Sequence, residues 1–199
     1  MLRKLLVCAL VWASAAPQAL ASDYNLQLAL WRQVSFPLDN FLAISSHFGW
    51  RKPVGASLKR SKASEFHSGL DLAAPMGSYI RAWADGRIQK VGYDNRCGWH
   101  IVTTSAEWTS TYCHISAVAV QEGQLVQAGQ VVAAVGSTGR STGPHLHWTL
   151  RYQAKLVDPE LVLQAMQLAW QGQSAPPVLP SQDVPEPVQA DRSAELPEI

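Results

Sequence analysis

Short apolar runs broken by glycine recur through the middle of the chain: Tyr79 to Trp83, Arg87 to Tyr93, His100 to Thr104, Thr109 to His114, Gln130 to Val135 and Leu146 to Tyr152. These are strand lengths with turn signals between them. Helical periodicity is almost absent over the same region, so the pattern predicts an all-β domain of antiparallel sheets with a cleft on one open face. One short C-terminal helix is expected. Pro159 suits its first turn, Asp158 can cap it, and Leu161 to Trp170 supplies an apolar stripe.

The two ends read differently. Met1-Leu2-Arg3-Lys4, the apolar run Leu5 to Trp12 and the small residues up to Ala21 have the form of a signal peptide over residues 1–21, which takes Cys8 with it. Its apolar stretch is too short to span a bilayer, so no stable membrane anchor is expected after cleavage. Residues 22–44 form a lead-in, 45–171 the expected domain, and 172–199 a disordered acidic tail rich in proline, including Pro176, Pro177, Pro180, Pro185, Pro187 and Pro197. The chain has 199 residues with 16 basic against 15 acidic; loss of Arg3 and Lys4 leaves 14 against 15. The charge is uneven, with 13 basic and 10 acidic residues between Ser22 and Gln171. Such a body suits an anionic polymer but is far too mild for nucleic acid. Arg51-Lys52, Lys59-Arg60 and Lys62 make the densest basic run, just before the first histidine cluster.

The chemistry concentrates in two clusters, His67-Ser68-Gly69-Leu70-Asp71 and His145-Leu146-His147, 78 positions apart. Zinc binds histidine nitrogen and carboxylate oxygen, and a hydrolytic site keeps a fourth position open beside three protein ligands. Residues two apart on a strand share a face, so His145 and His147 should look into one cleft while Leu146 and Trp148 anchor the strand in the core. Gly69 lets the chain bend so that His67 and Asp71 can approach one ion.

The surroundings add a resemblance. Gly136-Ser137-Thr138-Gly139-Arg140-Ser141-Thr142-Gly143-Pro144 runs into His145, Ser46-His47-Phe48-Gly49-Trp50-Arg51 lies upstream, and Tyr112-Cys113-His114-Ile115-Ser116 sits between. This order resembles the lysostaphin and LytM type of peptidoglycan metalloendopeptidase, the M23 peptidase family, from about Ser45 to Pro159. The resemblance implies one zinc ion on His67, Asp71 and His147, with His114 and His145 holding the attacking water and the transition state. No HExxH glutamate is present as base, so one of these two histidines takes the proton and the other stabilises the oxyanion. Peptidoglycan is the implied partner, and a periplasmic location follows from export without a separate wall-binding domain. His47 and His100 read as solvated or structural. Arg51 either lines the cleft toward substrate or pairs with a carboxylate.

Cys97 and Cys113 are an even pair in an exported chain and so predict a disulfide. Strands Cys97 to Thr103 and Glu107 to Cys113 would form a hairpin around Thr104 to Ala106, and a bridge there could add about 3 kcal/mol. Alternation predicts that Cys113 faces away from the cleft if His114 faces it. Trp99 and Trp108, near the hairpin tip, are the expected aromatic substrate contacts; the other tryptophans suit the core. Two rivals compete. Val120 to Gln130 looks like half of a biotinyl or lipoyl carrier, but no Asp-Lys or Met-Lys pair occurs. The alternative within the wall-acting class is a non-catalytic peptidoglycan-binding activator of an amidase, which would normally have lost part of the ligand set.

Overall fold

The computed structural model describes residues 31, 33–51, 65–173, 178, 180 and 181. The expected signal peptide, the basic residues Lys52, Lys59, Arg60 and Lys62, and most of the expected tail lie outside the described residues. In chain order the strands are β1 (Ala43–Ser46), β2 (Gly49–Arg51), β3 (Glu65–His67), β4 (Leu70–Ala73), β5 (Tyr79–Arg81), β6 (Gly86–Asp94), β7 (Gly98–Ser105), β8 (Trp108–Cys113), β9 (Ile115–Val118), β10 (Leu125–Val126), β11 (Val131–Val135), β12 (His145–Tyr152) and β13 (Lys155–Val157). The helix α1 (Pro159–Trp170) follows, with Pro159 in its first turn and the Asp158 carboxylate accepting the Glu160 N–H.

An eight-stranded sheet runs β1-β4-β12-β8-β7-β6-β10, with β13 also paired to β12. A three-stranded sheet, β5-β11-β9, and the β2-β3 pair complete the fold. Every pairing is antiparallel. The six expected strands are all present. The four strands before Tyr79 escaped the pattern because they are only three or four residues long, too short to display an alternation.

The core lies behind β12. Leu146, Trp148 and Leu150 are fully buried with Leu70, Leu72 and Tyr112 from its neighbours and Ile101 from β7. Each such side chain contributes about 1.5–3 kcal/mol relative to exposure. Buried polar tips are satisfied, since Trp148 Nε1 donates to Ser110 Oγ at 2.8 Å and the Tyr112 hydroxyl accepts the Trp83 N–H at 3.1 Å. This dry, bonded layer fixes the strand whose other face carries His145 and His147.

Three sequence expectations change. The β7–β8 turn sits at Ala106-Glu107, because Ser105 pairs with Trp108. Trp108 is only 3% exposed; its ring packs 5.6 Å from Trp31 and 5.4 Å from Trp83, so the expected substrate contact is a core residue instead. Its position beside the tip was misleading because the side chain points to the inner face. Finally, the flanking stretches share the core. Trp31, Val34 and Leu38 from the lead-in are buried, as is Val178 from the expected tail, and the Ser181 N–H donates to the Leu156 carbonyl.

Candidate metal centre and catalytic cleft

Register brings the two clusters together. β4 and β12 pair so that Asp71 lies opposite His147, and β8 on the other side sets Cys113 opposite His147. His67 arrives from β3 across Ser68-Gly69. The expected bend at Gly69 is present, although its φ is not in the left-handed region. A Cβ on Gly69 would lie 2.7 Å from the Trp148 carbonyl oxygen and 2.8 Å from two atoms of the His147 ring. Glycine is required because the backbone passes directly over that ring.

Three potential ligand atoms form a near-equilateral triangle. His67 Nε2 to Asp71 Oδ1 is 3.1 Å, His67 Nε2 to His147 Nδ1 is 3.0 Å, and His147 Nδ1 to Asp71 Oδ1 is 2.7 Å. A tetrahedral zinc ion with bonds of about 2.0–2.1 Å separates its ligands by roughly 3.3 Å, so a small relaxation admits one. Outer partners orient both rings. His67 Nδ1 donates to the His47 carbonyl at 2.6 Å, and His147 Nε2 meets Thr149 Oγ1 at 3.1 Å, which turns the remaining nitrogen of each ring toward the triangle. Electron pairs this close require a positive centre between them, a shared proton or a metal cation. The residues present therefore fit zinc. Burial pushes the Asp71 carboxyl upward, but its bonds with the His147 and His67 rings outweigh that and hold it well below the usual carboxylate range. Burial lowers the His147 ring pKa, partly offset by Asp71.

Two more imidazoles face this triangle. The His114 and His145 ring centroids are 4.6 Å apart, and His114 is 5.9 Å from His147. His114 Nδ1 donates to the Thr138 carbonyl at 2.7 Å and His145 Nδ1 to the Gly143 carbonyl at 2.8 Å, so one loop, residues 136–144, orients both rings; His145 Nε2 lies 3.8 Å from Asp71 Oδ1. Burial lowers the His114 pKa, which favours its neutral form.

The backbone at His114 is unusual. Its φ is +63°, a left-handed conformation rare outside glycine, and its N–H donates to the Cys97 carbonyl at 2.8 Å. This breaks strand alternation and corrects the expectation for Cys113. Both Cys113 and His114 line the cleft, and Cys113 is bonded to Cys97. The Cys97 turn is in turn locked to the 136–144 loop. Gly98 and Gly139, at φ +67° and +70°, press backbone to backbone where no Cβ fits, while Arg140 N–H donates to the Arg96 carbonyl at 2.9 Å and Trp99 N–H to Thr138 Oγ1 at 3.0 Å.

The cleft measures about 550 Å³. Arg51 lines it and reaches Asp71 Oδ2 at 3.4 Å, the oxygen not directed at the histidines, so this residue pairs with the carboxylate. Trp99 is exposed and meets Tyr93 edge-on at 5.7 Å, on the neighbouring strand rather than along the cleft wall. His47 is exposed and pairs with Glu160 at 2.8 Å; its carbonyl, not its ring, supports His67. His100 is buried, with Nδ1 3.1 Å from the Gly98 carbonyl. It sits near Asp94 and Cys97, but the disulfide leaves no thiolate there for a metal. Sequence reasoning missed Thr138, Gly143 and Thr149. Thr149, two residues after His147 on one strand, carried a usable signal; the other two act through carbonyls, which every residue has.

Residues 65–159 match peptidase family M23. The catalytic domain of the prophage-encoded M23 protein EnpA from Enterococcus faecalis, solved as a mutant, is 30% identical with a TM-score of 0.53, covering 65% of this chain and 95% of that one. The catalytic domain of the antimicrobial peptidase lysostaphin from Staphylococcus simulans is 28% identical with a TM-score of 0.53, covering 63% of this chain and 94% of that one. The DD-carboxypeptidase/endopeptidase Mpg of Neisseria meningitidis is 40% identical over 121 residues, 60% of this chain. The chain belongs to peptidase family M23, with the lysostaphin/LytM-type fold. It spans about a quarter of the length of the curated relatives it matches, 26% of the Mpg protein. Among the described residues, no helix is long and apolar enough to cross a membrane.

Proposed function

We propose that this protein is an exported, periplasmic zinc endopeptidase that hydrolyses peptide cross-links or stem peptides of bacterial peptidoglycan. The observation that carries this reading is the convergence of all five motif residues: the ligand triangle of His67, Asp71 and His147, with His114 and His145 beside it in one cleft. When bound, zinc supplies a Lewis acid for the scissile carbonyl and brings the pKa of a water to about 7.

The chain's own residues then divide the proton work. His114 and His145 each spend Nδ1 on a backbone carbonyl and keep Nε2 for the reaction. One accepts the proton of the attacking water, and the other donates to the oxyanion of the tetrahedral intermediate. Because each Nδ1–H is held by a carbonyl, the ring that donates to the oxyanion is the one protonated on Nε2 and the ring that accepts the water's proton is the neutral one; the neighbouring charge 4.6 Å away makes the newly protonated base a readier donor to the leaving amine. That arrangement suits passing a proton from water to the leaving amine. Arg51 holds the outer oxygen of Asp71, which would leave Oδ1 to hold the ion.

The test is direct. Purified protein, with and without added zinc, is incubated with peptidoglycan and the released fragments are identified by mass. Zinc-dependent release of cleaved peptides supports the proposal; unchanged substrate with stoichiometric zinc bound refutes it in favour of a binding or activator role. In the same preparation His67→Ala, Asp71→Ala and His147→Ala should lose metal, while His114→Ala and His145→Ala should keep it and lose most activity. A zinc-free His145→Ala protein would move His145 into the ligand set.

A further inference from the structure

Charged groups around the cleft are not matched one for one. Glu65 on β3 accepts both terminal nitrogens of Arg140, from the 136–144 loop, at 2.9 and 3.1 Å. Asp94 is occupied by the backbone N–H groups of Arg96 and Cys97 at 2.8 and 2.6 Å. Arg51 is spent on Asp71, and Arg151 donates to the Ala154 carbonyl at 3.2 Å. Arg96 lines the same cleft and is exposed, and among the described residues its guanidinium has no hydrogen-bond or ion-pair acceptor.

Its backbone, by contrast, is pinned. The Arg96 carbonyl accepts the Arg140 N–H, its N–H donates to Asp94, and the next residue, Cys97, is disulfide-bonded and accepts the His114 N–H. The unpaired cation is therefore carried on a rigid turn directly beside a catalytic histidine. Its field extends across the cleft: Glu65 is held below its usual range by the Arg140 hydrogen bond first, with the charges of Arg51 and Arg96 adding to it. A guanidinium fork matches a carboxylate in two parallel hydrogen bonds, which makes a peptide carboxylate the natural occupant.

Resting on the endopeptidase reading, we propose that Arg96 is a specificity residue that binds a free carboxylate flanking the scissile bond, so that the cleft selects carboxylate-bearing peptides over uncharged ones such as a glycine bridge. The experiment pairs two synthetic D-alanyl cross-linked peptides, identical except that one carries this carboxylate free and the other as its primary amide. Cleavage of both is measured with zinc-loaded wild type, Arg96→Gln and Arg96→Lys, and equilibrium binding of both is measured in a His145→Ala background with and without Arg96→Gln. Wild type should prefer the acid by about tenfold, the size of one charge-assisted hydrogen bond in a partly dry cleft. Arg96→Gln should remove the preference through KM, with kcat for the amide and zinc content unchanged, and Arg96→Lys should restore part of it. An acid-to-amide ratio that is the same in wild type and Arg96→Gln overturns the proposal, whatever direct attraction the zinc ion has for the acid. An Arg96-dependent binding preference without cleavage by wild type would sink the hydrolase reading and leave the recognition role standing, and binding of neither peptide would sink both.

Discussion

Replacing Gly69 by alanine puts a methyl carbon 2.8 Å from Cε1 and Nε2 of the His147 ring and 2.7 Å from the Trp148 carbonyl oxygen. Comfortable carbon contacts begin near about 3.5 Å, so roughly 0.7 Å must be found. The carbonyl cannot supply it, because β12 is paired on both sides here, with β4 and with β8. The His147 ring and the β3–β4 joint have to move instead. Metal–ligand distances tolerate only about 0.2 Å, so zinc affinity should fall about 10- to 100-fold. Overpacking should cost a further 1–3 kcal/mol, roughly, seen as a Tm lower by about 3–10 °C in the metal-free protein. A chelator competition measures the first effect. Calorimetry without metal measures the second, free of the stabilisation that bound zinc adds. Gly69→Ala with wild-type zinc affinity would refute the claim that glycine serves close approach to the ligand ring.

Other consequences are equally specific. Gly139→Ala or the pair Cys97→Ser and Cys113→Ser should lower kcat at least about tenfold while zinc stays bound, because each loosens a loop whose carbonyl orients His114; imidazole NMR signals of His114 that remain unchanged would argue otherwise. Trp108→Ala should destabilise by about 3–5 kcal/mol as a core deletion, and a variant that unfolds like wild type but binds peptidoglycan less would return Trp108 to the surface. Asp39, which accepts both Nε and Nη2 of Arg81 at 2.7 Å, has its carboxyl pKa lowered first by that hydrogen bond. A depressed carboxyl pKa stabilises the fold above the unfolded value and loses that contribution as pH falls through the folded one. Asp39→Asn should therefore flatten the acid limb of stability below about pH 4, by less than about 1 kcal/mol because the pair is still about one-third exposed and screened by water; an equally steep limb in the variant would count against the pair.

Much of this molecule was legible along the chain. Alternation and turn residues announced the strands from Tyr79 to Tyr152, Asp158-Pro159 announced the helix start, and the HxH spacing placed His145 and His147 on one face with Leu146 and Trp148 behind them. These readings succeed because period and capping are local properties, set within a few residues by backbone geometry. The two cysteines were legible for a similar reason, being chemically rare and even in number.

What the chain could not announce depends on neighbours distant in sequence. Trp108 and Trp99 read alike as aromatic residues near a hairpin, and only packing against Trp31 and Trp83 sends one inward. The left-handed His114 exists because Cys97 and Thr138, 17 residues before it and 24 after it, supply carbonyls that hold it there. Gly69 read as a bend, which it is, and only the His147 ring beneath it shows that the position also needs the room that glycine leaves. Residue types determined which chemistry was available to this protein: nitrogen and carboxylate ligands, two further imidazoles and a pair of thiols. Tertiary structure alone decided how those groups are aimed, because the aiming is done by backbone carbonyls and close contacts that look the same at every position until the chain has folded.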